Sequence, residues 1–376
     1  MIDATLSRST DAGLSDEQRH FVEAVRDFCR REQGLGFEET IERFADLGWW
    51  GLTIDEAYGG SGGTFLDAAL FLEESSRGMA APSGAYGVTL IVVGQLNKFG
   101  TEEQKRELLG GVARGGVLAI AMSEPDAGSD VASLRTKARL EDGEWVIDGA
   151  KMWCSYAHKA SHVLVVCRTQ DTGNKHEGLS MIFVPTDAEG FSMTPISTLG
   201  GEETNELHFD GVRVPEENLL GVEGNGWMQL MAGLNNERVI LAAQALGLAQ
   251  RAFDDALAYV KERKQFERPI GSFQAQQHRF AQLATELTQA RLLVRWVAQL
   301  TDEDPSRMLP QQASMAKLAC TELAKKCALE GMQAMGGYGY ATEYPMERYL
   351  RAAVVTTIFG GTSEIQKNII AKTLGL

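Results

Sequence analysis

The stretch TTIFGGTSEIQKNII, Thr356–Ile370, breaks an apolar run at Gly360-Gly361 and restarts with Thr362-Ser363 ahead of a helical pattern. Paired glycines let a ligand approach the backbone closely, and Thr or Ser caps the helix behind them. The arrangement suits a reactive loop, yet no side chain at its turn can move a proton. A second stretch, AMSEPDAGSDVASL at Ala121–Leu134, is dense in hydroxyls, glycine and backbone donors. Its composition fits either a long turn or a cradle for a flavin or pyrophosphate. GGYGY at Gly336–Tyr340 follows a long helix and reads either as an ordinary C-cap turn or as backbone donors for a phosphate. GGSGG at Gly59–Gly63 lacks the Lys-Ser/Thr of a P-loop and reads as an interhelical loop. His158 and His162 have metal-like spacing but straddle the entry to a strand, so no metal site is expected.

The elements that must position these stretches fall into three blocks. The first is helical: Ser15 and Gln18 fit a capping box ahead of DEQRHFVEAVRDFCRRE, and four more helical patterns follow. Near residue 121 the pattern changes to short β-rich runs parted by Gly, Asp and Pro, the signature of an antiparallel sandwich or barrel. After about Gly226 three long helical patterns return. The expected fold is a multidomain α+β protein. An N-terminal α-helical bundle (1–120) leads to a middle antiparallel β sandwich or barrel (121–226). A C-terminal four-helix bundle (227–376) completes it.

Composition narrows the function classes. The chain has 376 residues, 44% of them hydrophobic and 23% charged, which is ordinary for a soluble globular protein. A formal net charge of -15 argues against a nucleic-acid or anionic-membrane partner. The five cysteines form no CxxC pair, which fits a reduced, cytoplasmic setting. No signal peptide and no membrane-inserted segment are expected, because no apolar run is long enough.

Five motifs stand in order along the chain: AMSEPDAGSD, DGAKMWCS, ERKQFERPIGSFQ, QAMGGYGY with EYPMERYLR, and GGTSEIQ. Together they resemble the acyl-CoA dehydrogenase family, with EAYGGSGG as a weaker N-terminal match, over about residues 14 to 376. The resemblance implies a homotetramer with one FAD per subunit. It places Met122 and Ser123 against the isoalloxazine ring, makes Ser129 a residue shared by flavin and substrate contacts, sets Trp153 over one flavin face and gives Ser155 a hydrogen bond to the ring edge. Arg263 would neutralise pyrophosphate on a neighbouring subunit's FAD, with Gln265, Phe266 and Gln274 near it. Gln333 and Gly336-Gly337 would form the opposite cofactor wall, and Thr362 and Glu364 would contact the cofactor from the last helix.

The implied reaction is α,β-dehydrogenation of an acyl-CoA thioester to the trans-2-enoyl-CoA, with α-proton abstraction by a carboxylate and β-hydride transfer to flavin N5. The backbone N–H of Gly360 would polarise the thioester carbonyl, and Gly361 would lie beside it. Many members carry Glu where this chain has Gly360. A minority, such as the isovaleryl-CoA and long-chain acyl-CoA dehydrogenases, place the base on a central helix, and the matching position in GLNNERV is Glu237. Glu237 is therefore the expected base, with Arg238 binding substrate or fixing the helix and Asn235 lining the pocket. On helix pattern alone, Glu237 reads first as a solvated or salt-bridged carboxylate, and the family resemblance together with Gly360 turns the reading toward catalysis. Ala352 stands where relatives carry Asp, which would leave a buried Arg351 without its usual partner.

A glycine at 360 and a base on the helix point to a branched or otherwise bulky acyl group, with an electron-transferring flavoprotein as oxidant. Three rivals stay open. They are a dehydrogenase of a carrier-protein-bound acyl thioester, a flavin oxidase or monooxygenase of the same fold, and a non-catalytic subunit of a hetero-oligomeric dehydrogenase.

Overall fold

A computed structural model describes residues 13–376. The helical first block is α1 (Asp16–Arg31), α2 (Phe37–Asp46), α3 (Phe65–Arg77) and α4 (Ser83–Phe99). Helix then continues through Glu102–Gln104, a π-helical turn at Lys105–Leu109, and Gly110–Ala113. Seven strands follow: β1 (Leu118–Ala121), β2 (Lys137–Glu141), β3 (Glu144–Ser155), β4 (His162–Arg168), β5 (Leu179–Pro185), β6 (Phe191–Thr198) and β7 (Gly201–Pro215). The last block is α5 (Gly226–Glu262), a small hairpin of β8 (Lys264–Gln265) and β9 (Arg268–Pro269), α6 (Gln274–Glu303), α7 (Pro310–Met335), α8 (Met346–Thr356) and α9 (Ser363–Thr373). The helical, β, helical layout is the one expected.

The described chain forms two compact units. One gathers the residues up to Gly36, Thr64–Ser83 and Glu237–Leu376; the other gathers Phe37–Gly63 and Gly84–Asn236. In the first, α1 starts at the expected capping box: Gln18 N donates to Ser15 Oγ at 3.1 Å and Ser15 N donates to the Gln18 side chain at 3.2 Å. Helix α3 is buried from Leu66 to Ser76 apart from Asp67, and packs against α1 and α6. Its two glutamates enter the core because each is paired. Arg291 donates to Glu73 at 2.6 Å, and Arg26 grips Glu74 through two hydrogen bonds of 2.6 and 2.7 Å. Helix α7 packs against α6, α8 and α9. Arg351 departs from expectation. It is exposed and pairs with Glu347 one turn back at 2.7 Å, so Ala352 leaves no buried arginine stranded.

In the second unit all seven strands join one sheet, in the order β1-β4-β2-β3-β7-β6 with β5 on the other side of β4. The runs in β4 and β5 read as nearly unbroken apolar segments, and both strands are buried along almost their whole length. Two pairings, β1 with β4 and β2 with β4, are parallel, where the short spacing predicted antiparallel pairing throughout. A parallel pair needs a long crossover, and residues 122–161 supply it between β1 and β4.

Candidate active site

Glu237 lies on α5, in line with Leu230, Leu234 and Leu241 at the spacing of one helix face. Leu230 and Leu241 are buried, Leu234 is half-buried, and Glu237 is only 6% exposed. Burial pushes its carboxyl up to about 7, and the attraction of Arg238 and Lys317 offsets only part of that rise. A carboxyl poised there is half ionised near neutrality, which is what a general base at that pH requires. The solvated-carboxylate reading of this residue is therefore set aside. Arg238 is the next residue and is itself largely buried, so burial lowers its guanidinium pKa.

The GGT turn faces this carboxyl within the same unit. Gly360 has φ +58 and Gly361 φ +81, backbone that side-chain-bearing residues rarely adopt. A Cβ placed on Gly360 would lie 3.6 Å from Glu237 Oε1 and 2.1 Å from Leu241 Cδ1. A side chain at 360 would thus collide with Leu241 unless that leucine moved, while its Cβ would lie in ordinary contact with Glu237. Side chains tie the turn down. Gln366 Nε2 donates to Gly360 O at 3.0 Å and Gly361 O at 2.9 Å, and Lys317 Nζ donates to Gly361 O at 2.9 Å and Thr356 O at 2.8 Å. Thr362 caps α9 by accepting from Ile365 N at 3.3 Å, while Glu364 points out into solvent. Lys317 escaped the motif reading, although the signal was present: it sits on the stripe Ala313, Ala316, Cys320, Ala324, Cys327, all buried.

In the second unit the segment after β1 runs beside the end of β3. Met152 N donates to Ser123 O at 2.9 Å, Lys151 Nζ donates to Met122 O at 3.0 Å, and Cys154 Sγ donates to Ile120 O at 3.3 Å. Met122, Ser123, Trp153 and Ser155 are thereby brought together. The β3–β7 register slips between Lys151 and Cys154, and Trp153 takes φ +62 in that bulge, which leaves its ring 56% exposed. Ser129 is exposed further along the same segment. Beneath it, Lys151 and Glu124 form a buried ion pair at 2.8 Å, and Glu124 also accepts from Arg135 N at 2.6 Å and Thr136 N at 2.9 Å. Burial pushes Glu124 upward, but Lys151 and Thr136 more than offset this, and its carboxyl stays below the usual range. Thr204 lies directly across from Ser155 on β7, and its Oγ1 is buried without a hydrogen-bond partner among the described residues. Asn235 is buried at the end of this unit.

The remaining candidates lie on the first unit. Arg263, Gln265, Phe266 and Gln274 surround the β8–β9 hairpin and are exposed, Phe266 by 87%. Gln333, Gly336 and Gly337 are exposed at the end of α7, where Gly336 has φ +62. The structure joins these two groups, because the Arg263 guanidinium stacks 5.4 Å over the Tyr338 ring. Among the described residues, no group of three or more His, Cys, Asp or Glu could hold a metal ion.

Family models for the acyl-CoA dehydrogenase N-terminal, middle and C-terminal domains match residues 15–116, 119–212 and 224–375. The chain belongs to the acyl-CoA dehydrogenase family. It is 37% identical to the mitochondrial isovaleryl-CoA dehydrogenase of Solanum tuberosum, covering 97% of this chain and 92% of that one. The solved acyl-CoA dehydrogenase of Geobacillus kaustophilus superposes with a TM-score of 0.91 at 33% identity, over 97% of this chain and 100% of the other. A glutaryl-CoA dehydrogenase from Mycobacterium smegmatis, solved in complex with FADH2, gives a TM-score of 0.87 at 28% identity, over 96% and 95% of the two chains. This acyl-CoA dehydrogenase is an FAD-dependent oxidoreductase.

The residues of the second unit fit that cofactor. An exposed indole held in a bulge offers a flat apolar face for a ring system. The neutral hydroxyls of Ser123 and Ser155, both partly accessible, offer donors without charge. The unpartnered Thr204 hydroxyl, facing the same side as Ser155, adds a further group for a polar ring edge.

Proposed function

We propose that this acyl-CoA dehydrogenase converts a branched or otherwise bulky acyl-CoA into its trans-2-enoyl thioester, with Glu237 as the base. The observation that carries the reading is the buried, neutrality-poised Glu237 carboxyl beside the side-chain-free position 360. Glu237 Oε1 removes the α-proton and holds it as the neutral acid. The backbone N–H of Gly360 donates to the thioester oxygen, where negative charge develops. Glu237 is buried, which limits the access of solvent to its carboxyl. FAD, when bound, would supply the acceptor for the β-hydrogen and its electron pair.

Met122, Ser123, Ser129, Trp153 and Ser155 would hold the flavin ring. Arg263, Gln265, Phe266 and Gln274, with Gln333, Gly336 and Gly337, would hold the rest of the cofactor, and Thr362 and Glu364 would approach it from α9. Asn235, Arg238 and Gly361 would border the acyl thioester. The 37% identical isovaleryl-CoA dehydrogenase supports a branched acyl group. Exposed Leu292, Trp296 and Leu329 on α6 and α7 support self-association, for which we propose a homotetramer. An electron-transferring flavoprotein is the proposed oxidant, and the 1–120, 121–226 and 227–376 blocks the proposed working domains.

The test is product analysis. The holoenzyme is incubated with isovaleryl-CoA, 2-methylbutyryl-CoA and straight-chain acyl-CoAs plus an artificial electron acceptor, and thioesters are read by mass spectrometry. Loss of two hydrogens, fastest with a branched chain, is the expected result. Absence of that loss with every acyl-CoA contradicts the proposal.

A further inference from the structure

Lys317 is a fully buried lysine on α7, and its hydrogen bonds go to carbonyls. Nζ donates to Thr356 O at 2.8 Å, the last residue of α8, and to Gly361 O at 2.9 Å, the end of the GGT turn. Both contacts bracket Gly360, the position that faces Glu237. The carboxyl side of the same turn is held by Gln366, which donates to the carbonyls of Gly360 and Gly361. A turn with two successive residues at positive φ has few ways to be stabilised by its own side chains. The clamp from α7 therefore decides where Gly360 sits. Backbone carbonyls need no ammonium; an amide or a water serves them as well, and burying a cation is costly. A positive charge at this place calls for a reason of its own, and the carboxylate that acts on it most strongly is the buried Glu237.

We propose that Lys317 is a positioning residue for Glu237: it fixes the turn that sets Gly360 against the carboxyl, and it supplies the buried positive charge that favours the carboxylate. The inference rests on the reading of Glu237 as the base. The charges acting on Lys317 are Glu237, Glu322 and Glu364, which favour its ammonium, and Arg238, which opposes it. Those acting on Glu237 are Arg238 and Lys317. Burial brings the lysine down to about 8, so its charge is present when Glu237 ionises near 7 and fades just above that range.

The test uses the FAD-loaded enzyme and three variants. Lys317→Gln keeps donors for the carbonyls and removes the charge, Lys317→Met removes both, and Lys317→Arg keeps the charge. The Glu237 carboxyl is titrated by infrared difference spectroscopy, with Glu237→Gln as the blank, and the pH profile of flavin reduction by acyl-CoA is followed alongside. Lys317→Gln is expected to raise the Glu237 midpoint by roughly one pH unit. Flavin reduction below the midpoint should then slow by roughly tenfold. Lys317→Arg should restore the midpoint to near the wild-type value. A Glu237 midpoint unmoved in Lys317→Gln overturns the proposal, as does an equal displacement in Lys317→Arg. If the uncharged variants do not fold, the wild type decides. The Glu237 signal must show a second inflection where Lys317 titrates, and a flat signal there overturns the proposal. The infrared readout needs no turnover. A displaced midpoint in an enzyme that reduces with no acyl-CoA would sink the function assigned to Glu237, while leaving the effect of Lys317 on that carboxyl standing.

Discussion

Gly360 and Glu237 share one small space: a Cβ on the glycine would come within 3.6 Å of the glutamate's Oε1, with Leu241 closing the other side. A side chain on the turn would collide with Leu241 and come into contact with the helix carboxyl. This chain keeps the helix carboxyl and leaves the turn bare.

The cost of that arrangement is measurable in Glu237. Its folded-state pKa, about 7, lies above the ordinary 4.5, so the folded protein binds the proton more tightly than the unfolded chain. Stability from this group is therefore undiminished below pH 4.5 and is lost as pH rises toward 7 and beyond. At pH 8 the penalty is on the order of 3 kcal/mol. Glu237→Gln should be more stable than wild type at pH 8 and close to it at pH 5, as read by urea denaturation at both pH values. Equal stability differences at the two pH values would contradict the buried, ionising carboxyl.

Gly360→Ala places a Cβ in the left-handed region and against Leu241 Cδ1. The backbone term is about 1–2 kcal/mol. The steric part should fall when Leu241 is shortened, so Gly360→Ala with Leu241→Ala should be less destabilised than the sum of the two single changes. Strict additivity in a denaturation cycle would mean the two positions do not share space.

The helical, β, helical layout was legible because it rests on periodicity. α1 has its capping box and buries Val22, Val25 and Cys29 at helical spacing, and β4 and β5 carry continuous apolar runs. The parallel pairing of β1 with β4 was not, since a strand's pattern tells how much of it is buried and not which neighbour it takes. Arg351 was misread because its partner was sought one residue along and lies one turn back, at Glu347. Glu237 stood out only through the motif that surrounds it. Its burial depends on Leu241 and Gly360, far apart in sequence from one another. Lys317, Lys151 and Glu124 were passed over because a charged residue in an apolar stripe looks like noise until its partner is placed.

The Lys151–Glu124 pair holds the segment that carries Met122 and Ser123. Removing one partner leaves a buried charge without compensation. Lys151→Met and Glu124→Leu should each destabilise the enzyme by about 3–5 kcal/mol, while the double change should recover a large part of the loss. Circular-dichroism melting of the three variants tests this. A double variant as unstable as the sum of the singles would contradict a paired role.

Trp153→Ala removes the exposed face beside Ser123, and Thr204→Val removes the unpartnered hydroxyl across from Ser155. The first should purify with markedly less FAD. The second should weaken FAD binding by about tenfold, the loss of roughly one hydrogen bond. Flavin fluorescence on titrating apoenzyme measures both, and unchanged affinity in both variants would move the flavin ring away from this wall.

The most direct test of the central claim is anaerobic mixing of the FAD-loaded enzyme with a panel of acyl-CoAs, following the flavin absorbance in wild type and Glu237→Gln. The account predicts rapid bleaching in the wild type, strongest with branched chains and rising with pH through about 7. In Glu237→Gln, bleaching should slow by roughly three orders of magnitude or more. Bleaching that survives at the wild-type rate in Glu237→Gln would place the base elsewhere and contradict the account.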